Sequence, residues 1–277
     1  MNILSLFDGI SCGQLALQRA GIKVDKYYAS EIKDIAIRVT QANFPATIQL
    51  GDVRKIDLDK LQNIDLLIGG SPCQNLSIAQ AGRTGLQGDK SKLFWEYVRV
   101  LKYIQPKYFL LENVARAKKE DIDYISLVLG VKPIRINSSL VSAQLRDRMY
   151  WTNIPGVTLP EDKRIKLQDI LTSGYTDREK ARCLLVSDSR PLRDRKRMLH
   201  RYNDVGFTTL VFENLEDKEN TCRYLNQTEL ERLQTLPEGY TNCLTRNRAA
   251  DVIGDAWTVD VIAHMFKGLK EAEQNAN

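Results

Sequence analysis

The chain has 277 residues, with 40 Lys and Arg against 35 Asp and Glu for a net charge of +5, and 43% of it is hydrophobic. That is enough to bury the core of one large α/β domain, with or without a small appendage. No apolar run approaches the roughly 20 residues of a spanning helix, and "MNILSLFDGIS" lacks the basic start and cleavage site of a secretory signal, so a cytoplasmic protein with no membrane partner is expected.

The first half alternates short β-branched runs with helical patterns, as a parallel sheet with crossover helices requires. The expected strands are "NILSLF", "KYYASE", "ATIQL", "IDLLIGG", "KYFLLENV", "IRINSSLV" and "RMYWTNI". After the first strand comes "FDGISCG", where Gly9 and Gly13 precede a helical pattern starting near Gln14. Glycine there allows close backbone approach to a ligand at the carboxyl edge of the sheet. Taken alone, the pattern also fits an ordinary tight turn. Glu31 closes the second strand, where an acid can accept from ribose hydroxyls, and Asp52 in "GDV" closes the third, where it could accept from an adenine amino group. The loop lacks the GxGxxG form that a pyrophosphate needs, and Asp8 would repel phosphate. A cofactor with a positive centre fits better, which points to S-adenosylmethionine.

The fourth strand runs into "GGSPCQNLS". Cys73 should lie at the carboxyl edge, where a thiol near basic residues can become a thiolate nucleophile. The competing reading is a small buried hydrophobe. Between strands four and five, "SKLFWEYVRVLKYI" repeats Leu93, Tyr97, Val98, Leu101 and Ile104 at helical spacing, a core stripe that Pro106 ends. Glu112 closes the fifth strand, and a carboxyl there would be raised by desolvation if it lacked a cation, making it an acid. Arg146 and Arg148 alternate, so in extended chain both point to one face.

After Ile154 the alternation stops. The reading is a catalytic and cofactor-binding domain over 1–153, a small basic lobe over 154–245, and a C-terminal segment, 246–277, whose helical face of Val259, Ile262, Phe266 and Leu269 packs back on the larger domain. The basic residues gather in "SRPLRDRKRMLHRY", with Arg190, Arg193, Arg195, Lys196, Arg197 and Arg201 against a single Asp194. On charge alone such a run is a solvated helix face. The five cysteines, Cys12, Cys73, Cys183, Cys222 and Cys243, have no close pairs, which argues against a disulfide framework. With only His200 and His264 to add imidazole, no metal is expected.

Read together, the order "FDGISCG", Glu31, "GDV", "GGSPCQNLS", "LLENV", "QLRDR", "ELERLQTLPEGY" and "GDAWTV" resembles the S-adenosylmethionine-dependent DNA (cytosine-5) methyltransferases, over nearly the whole chain. "SLFDGI", "SPC" with "LS", and "GDAWTVDVI" look most like the animal de novo members. The resemblance implies a Rossmann-like mixed α/β sheet with helices on both faces, the class I methyltransferase fold, plus a small target-recognition lobe. It implies that Cys73 adds to C6 of a flipped cytosine, that Glu112 donates to N3, that Arg148 holds O2, and that Arg146 positions the nucleotide backbone or the cysteine.

It further implies that Phe7, Asp8, Gly9, Ile10, Glu31, Asp52, Val53, Pro72, Asp255 and Trp257 surround S-adenosyl-L-methionine, whose product is S-adenosyl-L-homocysteine. In this context the basic run becomes a contact to double-stranded DNA, joined by Gln74, Ser77 and Arg83. "LSIAQAGRTGLQGDKSK", with Gly82, Gly85 and Gly88, becomes the loop that closes over DNA. The lobe is short, so a recognition sequence of about two to four base pairs is expected.

Departures from the family pattern are Ser11 and Cys12 in place of glycines, and Asp255 where asparagine or arginine is usual; the latter puts cofactor or subunit contacts in question. A homo-oligomer and a cognate restriction nuclease are the further partners the resemblance suggests. Two alternatives stand beside this reading. One is a tRNA methyltransferase, whose Cys-Phe-Thr signature is not found here. The other is a non-catalytic DNA-binding regulator, which should lack the nucleophile or the arginine pair.

Overall fold

A computed structural model describes residues 1–71, 92–185, 190–206 and 208–274. All seven expected strands are present: β1 (Asn2–Leu6), β2 (Lys26–Ser30), β3 (Ile48–Gln49), β4 (Leu66–Gly70), β5 (Tyr108–Val114), β6 (Ile134–Asn137) and β7 (Asp147–Thr152). They form one sheet in the order β3-β2-β1-β4-β5-β7-β6. The first five pair in parallel, whereas β7 is antiparallel to both β5 and β6, which makes the sheet mixed as expected.

The near-continuous apolar sequence of the central strands reflects burial on both faces. Strand geometry then sorts the side chains by parity. Ile3, Leu66, Ile68 and Leu110 enter one core layer, and Leu4, Leu67, Phe109 and Leu111 enter the other. The helices described are α1 (Cys12–Arg19), α2 (Asp34–Asn43), α3 (Lys92–Ile104), α4 (Lys119–Leu129), α5 (Leu167–Ile170), α6 (Arg195–His200), α7 (Lys218–Thr221), α8 (Gln227–Leu233), α9 (Arg246–Asp255) and α10 (Val259–Gln274). α1, α2 and α10 supply the first layer through Leu15, Leu17, Val39, Ile262, Phe266 and Leu269, and α3 and α4 supply the second.

Two local expectations shift. α1 begins at Cys12, ahead of Gln14. In α3 the fully buried face is Phe94, Tyr97, Val98 and Val100, while Leu93, Leu101 and Ile104 flank it half-buried. All five residues of the spaced stripe thus belong to or pack against the second core layer, while Trp95 and Tyr103, equally apolar, point to solvent.

Beyond β7 the chain adds a hairpin of β8 (Leu210–Phe212) and β9 (Cys222–Tyr224). Met198, Tyr202, Leu210, Phe212 and Cys222 make a small cluster of their own. Leu225, Leu230, Leu233, Leu236 and Tyr240 rejoin the first core layer of the sheet. α10 then packs along α1, and Arg19 pairs with Asp260 at 2.7 Å. Among the described residues no helix is long and apolar enough to cross a membrane, and no group of three or more His, Cys, Asp or Glu could hold a metal ion.

Candidate active site

The strand order reverses between β1 and β4, and in open α/β sheets a crevice forms at the carboxyl edge of that switch point. Both halves of the candidate site lie along this edge.

The first half is built on the turn after β1. Phe7, Gly9 and Ser11 adopt φ values of 57°, 61° and 59°, a left-handed conformation that costs energy at Phe7 and Ser11 and is favourable at Gly9. A Cβ at Gly9 would meet nothing within 4 Å, so the turn is open to an approaching ligand. Gly13 differs from the expectation. A Cβ there would come within 2.4 Å of Ile68 Cδ1, so this glycine serves the packing of α1 on the sheet.

Glu31 is already engaged by the backbone. Oε2 accepts from Gly9 N at 2.8 Å, and Oε1 accepts from Ile32 N and Lys33 N at 2.7 and 2.9 Å. The carboxylate is thereby fixed facing the turn, beside the 68% exposed side chain of Ile32, apolar surface that the sequence reading did not single out. Asp8 turns its carboxyl inward, accepting from Tyr27 Oη at 2.8 Å and from Ser11 Oγ. Burial pushes this carboxyl up to about 6, against the hydrogen bonds from Ser11, Ser5 and Tyr27, with Glu31 adding repulsion.

Ile10 is buried, and its carbonyl accepts from Tyr240 Oη at 2.7 Å. Val53 is buried in the second core layer. Asp52 is committed elsewhere: Arg54 binds it through Nη2 at 2.5 Å and through its backbone N at 3.0 Å, which holds the carboxyl down at about 2. Asp255, at the end of α9, makes an ion pair with Lys33 at 2.6 Å and so ties that helix to the segment after β2. Cys12 is buried, and its thiol is pushed up to about 12, mainly by desolvation, which leaves it unreactive.

The second half is built on β5 and β7. Glu112 pairs in register with Tyr150, so Arg148, two residues along β7, lies on the same face within diagonal reach. Arg148 Nε binds Glu112 Oε1 at 2.8 Å, and Trp257 Nε1 donates to Glu112 Oε2 at 3.0 Å. The cation that the sequence left open is present, and it comes from β7. Trp257, expected beside the cofactor, has its indole N–H on this carboxyl. A Cβ on Gly70 would come within 2.9 Å of both Glu112 Oε2 and Trp257 Nε1, so the glycine leaves room for that bond.

Arg146 is 4% exposed. It donates to Gly254 O at 3.1 Å and Ala256 O at 2.8 Å, which anchors it to the chain leading to Trp257. A group that sequence reasoning missed joins the two arginines: Cys183 Sγ lies 3.4 Å from Arg146 Nη1 and 3.9 Å from Arg148 Nη2. Their positive charges lower this thiol against the opposing effect of burial. The only signal available in sequence was the cysteine itself, 35 residues or more from either arginine.

The segment after β4 lies outside the described residues, and with it Pro72, Cys73, Gln74, Ser77 and Arg83. Arg195, Lys196 and Arg197 are exposed on α6, whose Met198 anchors it to the lobe's own cluster; Arg190 and Arg193 precede it and are also exposed. Asp194 caps the helix, accepting from Arg197 N at 3.0 Å.

Against known proteins, residues 1–128 match the family described as C-5 cytosine-specific DNA methylase. The chain is 33% identical over 189 residues to orphan methyltransferase M.SPRI of Bacillus phage SPR, across 63% of this chain and 43% of that protein. It therefore spans less than half the length of that relative. It is 26% identical to type II methyltransferase M1.ScrFI of Lactococcus lactis subsp. cremoris, across 98% of this chain and 78% of that protein. In structure it is similar to the Entamoeba histolytica methyltransferase EhMeth, with a TM-score of 0.77 at 16% identity, covering 99% of this chain and 98% of that one. The fold is thus the expected Rossmann-like methyltransferase fold.

Proposed function

We propose that the chain, whose residues 1–128 match the C-5 cytosine-specific DNA methylases, is an enzyme of that family and transfers a methyl group to C5 of a cytosine flipped out of duplex DNA, through a covalent bond between Cys73 and C6. The observation that carries the proposal is the buried carboxyl of Glu112, held from one side by Arg148 and from the other by Trp257 at the carboxyl edge of the sheet.

The residues at the other half of the edge fit S-adenosylmethionine. The turn at Gly9 is open, Glu31 is a fixed acceptor for ribose hydroxyls, and Ile32 offers apolar surface. No pyrophosphate cradle accompanies them. Asp52 takes part only by exchanging Arg54 for a new donor. Bound there, this cofactor supplies an electrophilic methyl group.

The chain's own residues do the rest. C5 of cytosine is too weak a nucleophile to take the methyl directly. The Cys73 thiolate adds to C6, forming an S–C6 bond and pushing the C5–C6 π electrons through C4 onto N3. As negative charge builds, Glu112 donates a proton at N3, and Arg148, drawn from its carboxylate by the entering base, holds O2. C5 then takes the methyl. A base removes the C5 proton, its electrons restore the C5–C6 double bond as the S–C6 bond breaks to return the thiolate, and the N3 proton goes back to Glu112. Arg146 keeps Arg148 and the approach to Trp257 in place. The lobe over 154–245 reads the target, with the exposed arginines on and before α6 meeting phosphates.

The test is transfer of labelled methyl from S-adenosylmethionine to unmethylated duplex DNA, with tRNA and the Cys73→Ala protein in parallel, followed by base-resolution mapping. Label at C5 of cytosine in a short DNA sequence, lost in the variant, is expected. Label confined to tRNA, or cofactor binding with no transfer to either, overturns the proposal in favour of an RNA enzyme or a regulator respectively.

A further inference from the structure

We propose that Gln234, the glutamine of "ELERLQTLPEGY", is a positioning residue that holds the indole of Trp257 on the carboxyl of Glu112. Gln234 closes α8 and is fully buried. The end of that helix is pinned to the chain leading into Arg146, since Leu233 O accepts from Ser142 Oγ at 2.5 Å and from Gln144 Nε2 at 3.3 Å. Thr235, next in sequence, has a φ of 53°, a left-handed conformation that costs energy in a β-branched residue and persists only where the surroundings impose it. What imposes it is the start of α10: Gln234 O accepts from Val259 N at 3.0 Å, and Thr235 Oγ1 accepts from Asp260 N at 2.9 Å.

The Gln234 side chain then spans the segment that carries Trp257. A primary amide has two hydrogens to give and one oxygen to accept. Here Nε2 donates to Ile253 O at 3.0 Å and to Ala256 O at 3.3 Å, and Oε1 accepts from Thr258 Oγ1 at 2.7 Å. Thr258 Oγ1 accepts in turn from Ser138 Oγ at 2.8 Å, on the turn after β6. Ala256 and Thr258 are the two neighbours of Trp257, so the amide grips the chain on both sides of the indole. Arg146 takes Gly254 O and Ala256 O, both before Trp257. Gln234 adds the hold after it.

The indole itself makes this hold matter. Its N–H donates to Glu112 Oε2 at 3.0 Å. A Cβ on Gly70 would come within 2.9 Å of Trp257 Nε1, and a Cβ on Gly13 within 3.5 Å of Cζ3. The ring thus lies against two glycines, which leave it room and have no side chains to fix its direction. That direction is set by the chain on either side, where the Gln234 amide and the Thr258 hydroxyl act as one buried network. Gln234 belongs to the stretch 154–245, so the end of the small lobe sets the hydrogen bond that faces the acid.

The inference rests on the reading of Glu112 as the acid, so its test has a readout that needs no turnover. In protein labelled with 15N-tryptophan, the three indole N–H resonances belong to Trp95, Trp151 and Trp257. That of Trp257 is identified by its loss in Trp257→Phe, and Glu112→Gln shows where it moves when the carboxylate is gone. In Gln234→Met, and in Thr258→Val, which takes the donor from Gln234 Oε1, it should broaden or move toward that position, and Thr258→Ser should restore it. Trp151, whose indole donates to Ser126 Oγ at 2.9 Å in the other core layer, stays in place if the fold is intact. In parallel, kcat should fall about tenfold in Gln234→Met and Thr258→Val, the size of one hydrogen bond to a charged group, with KM for DNA unchanged and most of kcat recovered in Thr258→Ser. A Trp257 resonance unmoved in either variant while Trp151 keeps its place overturns the proposal; if Gln234→Met does not fold, the Thr258 pair decides alone. A wild-type protein that transfers no methyl to DNA defeats the catalytic reading instead, and the resonance still decides this one.

Discussion

Replacing Asp8 by Asn should stabilise the protein at alkaline pH and do progressively less as the pH falls. The Asp8 carboxyl rises from 3.8 in the open chain to about 6 in the fold, because burial disfavours the charged form more than Ser11, Ser5 and Tyr27 favour it. A rise of about two units corresponds to about 3 kcal/mol, an upper figure for a residue that keeps some exposure to solvent. The sign follows from linkage. A folded-state value above the unfolded one means that the fold prefers the protonated carboxyl. This contribution is full below about pH 3.8 and is lost as the pH rises through about 6. Asn keeps an acceptor for Tyr27 or Ser11 and does not titrate. Urea unfolding of wild type and Asp8→Asn without cofactor, at pH 4.5, 6 and 8, isolates the effect, because every other group titrates in both proteins. The stability difference should move toward the variant by up to about 3 kcal/mol between the lowest and highest pH. A difference that stays constant, or moves toward wild type, refutes the reasoning.

Arg148→Ala should cost about 3–5 kcal/mol, since it strands a carboxylate that is largely out of water, and adding Glu112→Gln should recover part of this without restoring methyl transfer; denaturant titrations in which the double variant is no more stable than the single one would count against the ion pair. Gly70→Ala should split the bond between Trp257 and Glu112, costing about 1–3 kcal/mol and at least tenfold in kcat, as read by thermal melting and initial rates. Equal activity would mean that the bond is dispensable. Gly268→Ala should be worse for stability than for chemistry: its Cβ would lie 2.1 Å from Pro155 O, so α10 must shift as a body, and a melting temperature within a degree of wild type would contradict that contact.

The strands were legible because burial on both faces leaves a strong mark, as in "IDLLIGG" and "KYFLLENV", and because period-two parity needs no knowledge of neighbours. Parity also put Arg146 and Arg148 on one face, where both now meet Cys183. What could not be read was which distant residue completes a pair. Glu112 is bonded by residues 36 and 145 positions away, and nothing local announces either. Asp52 shows the reverse limit, since its partner Arg54 was two residues away, yet the acid was read only as a ligand for a nucleoside. In α3 the spaced stripe found the core side, but the apolar residues are so many that Phe94 and Val100, buried with it, were left out.

The attachments of Glu112 have a consequence for how the chain can be divided. The stretch that matches the family, residues 1–128, ends with this carboxyl in hand but without Arg148, Cys183 or Trp257. Cut between residues 129 and 147, the chain yields one fragment with the open turn at Gly9 and the acid, and another with Arg148 and Trp257, which hold it. Under the proposed function, neither half methylates DNA by itself. Under that same reading, such halves fused to two other proteins would methylate DNA only where those proteins had met.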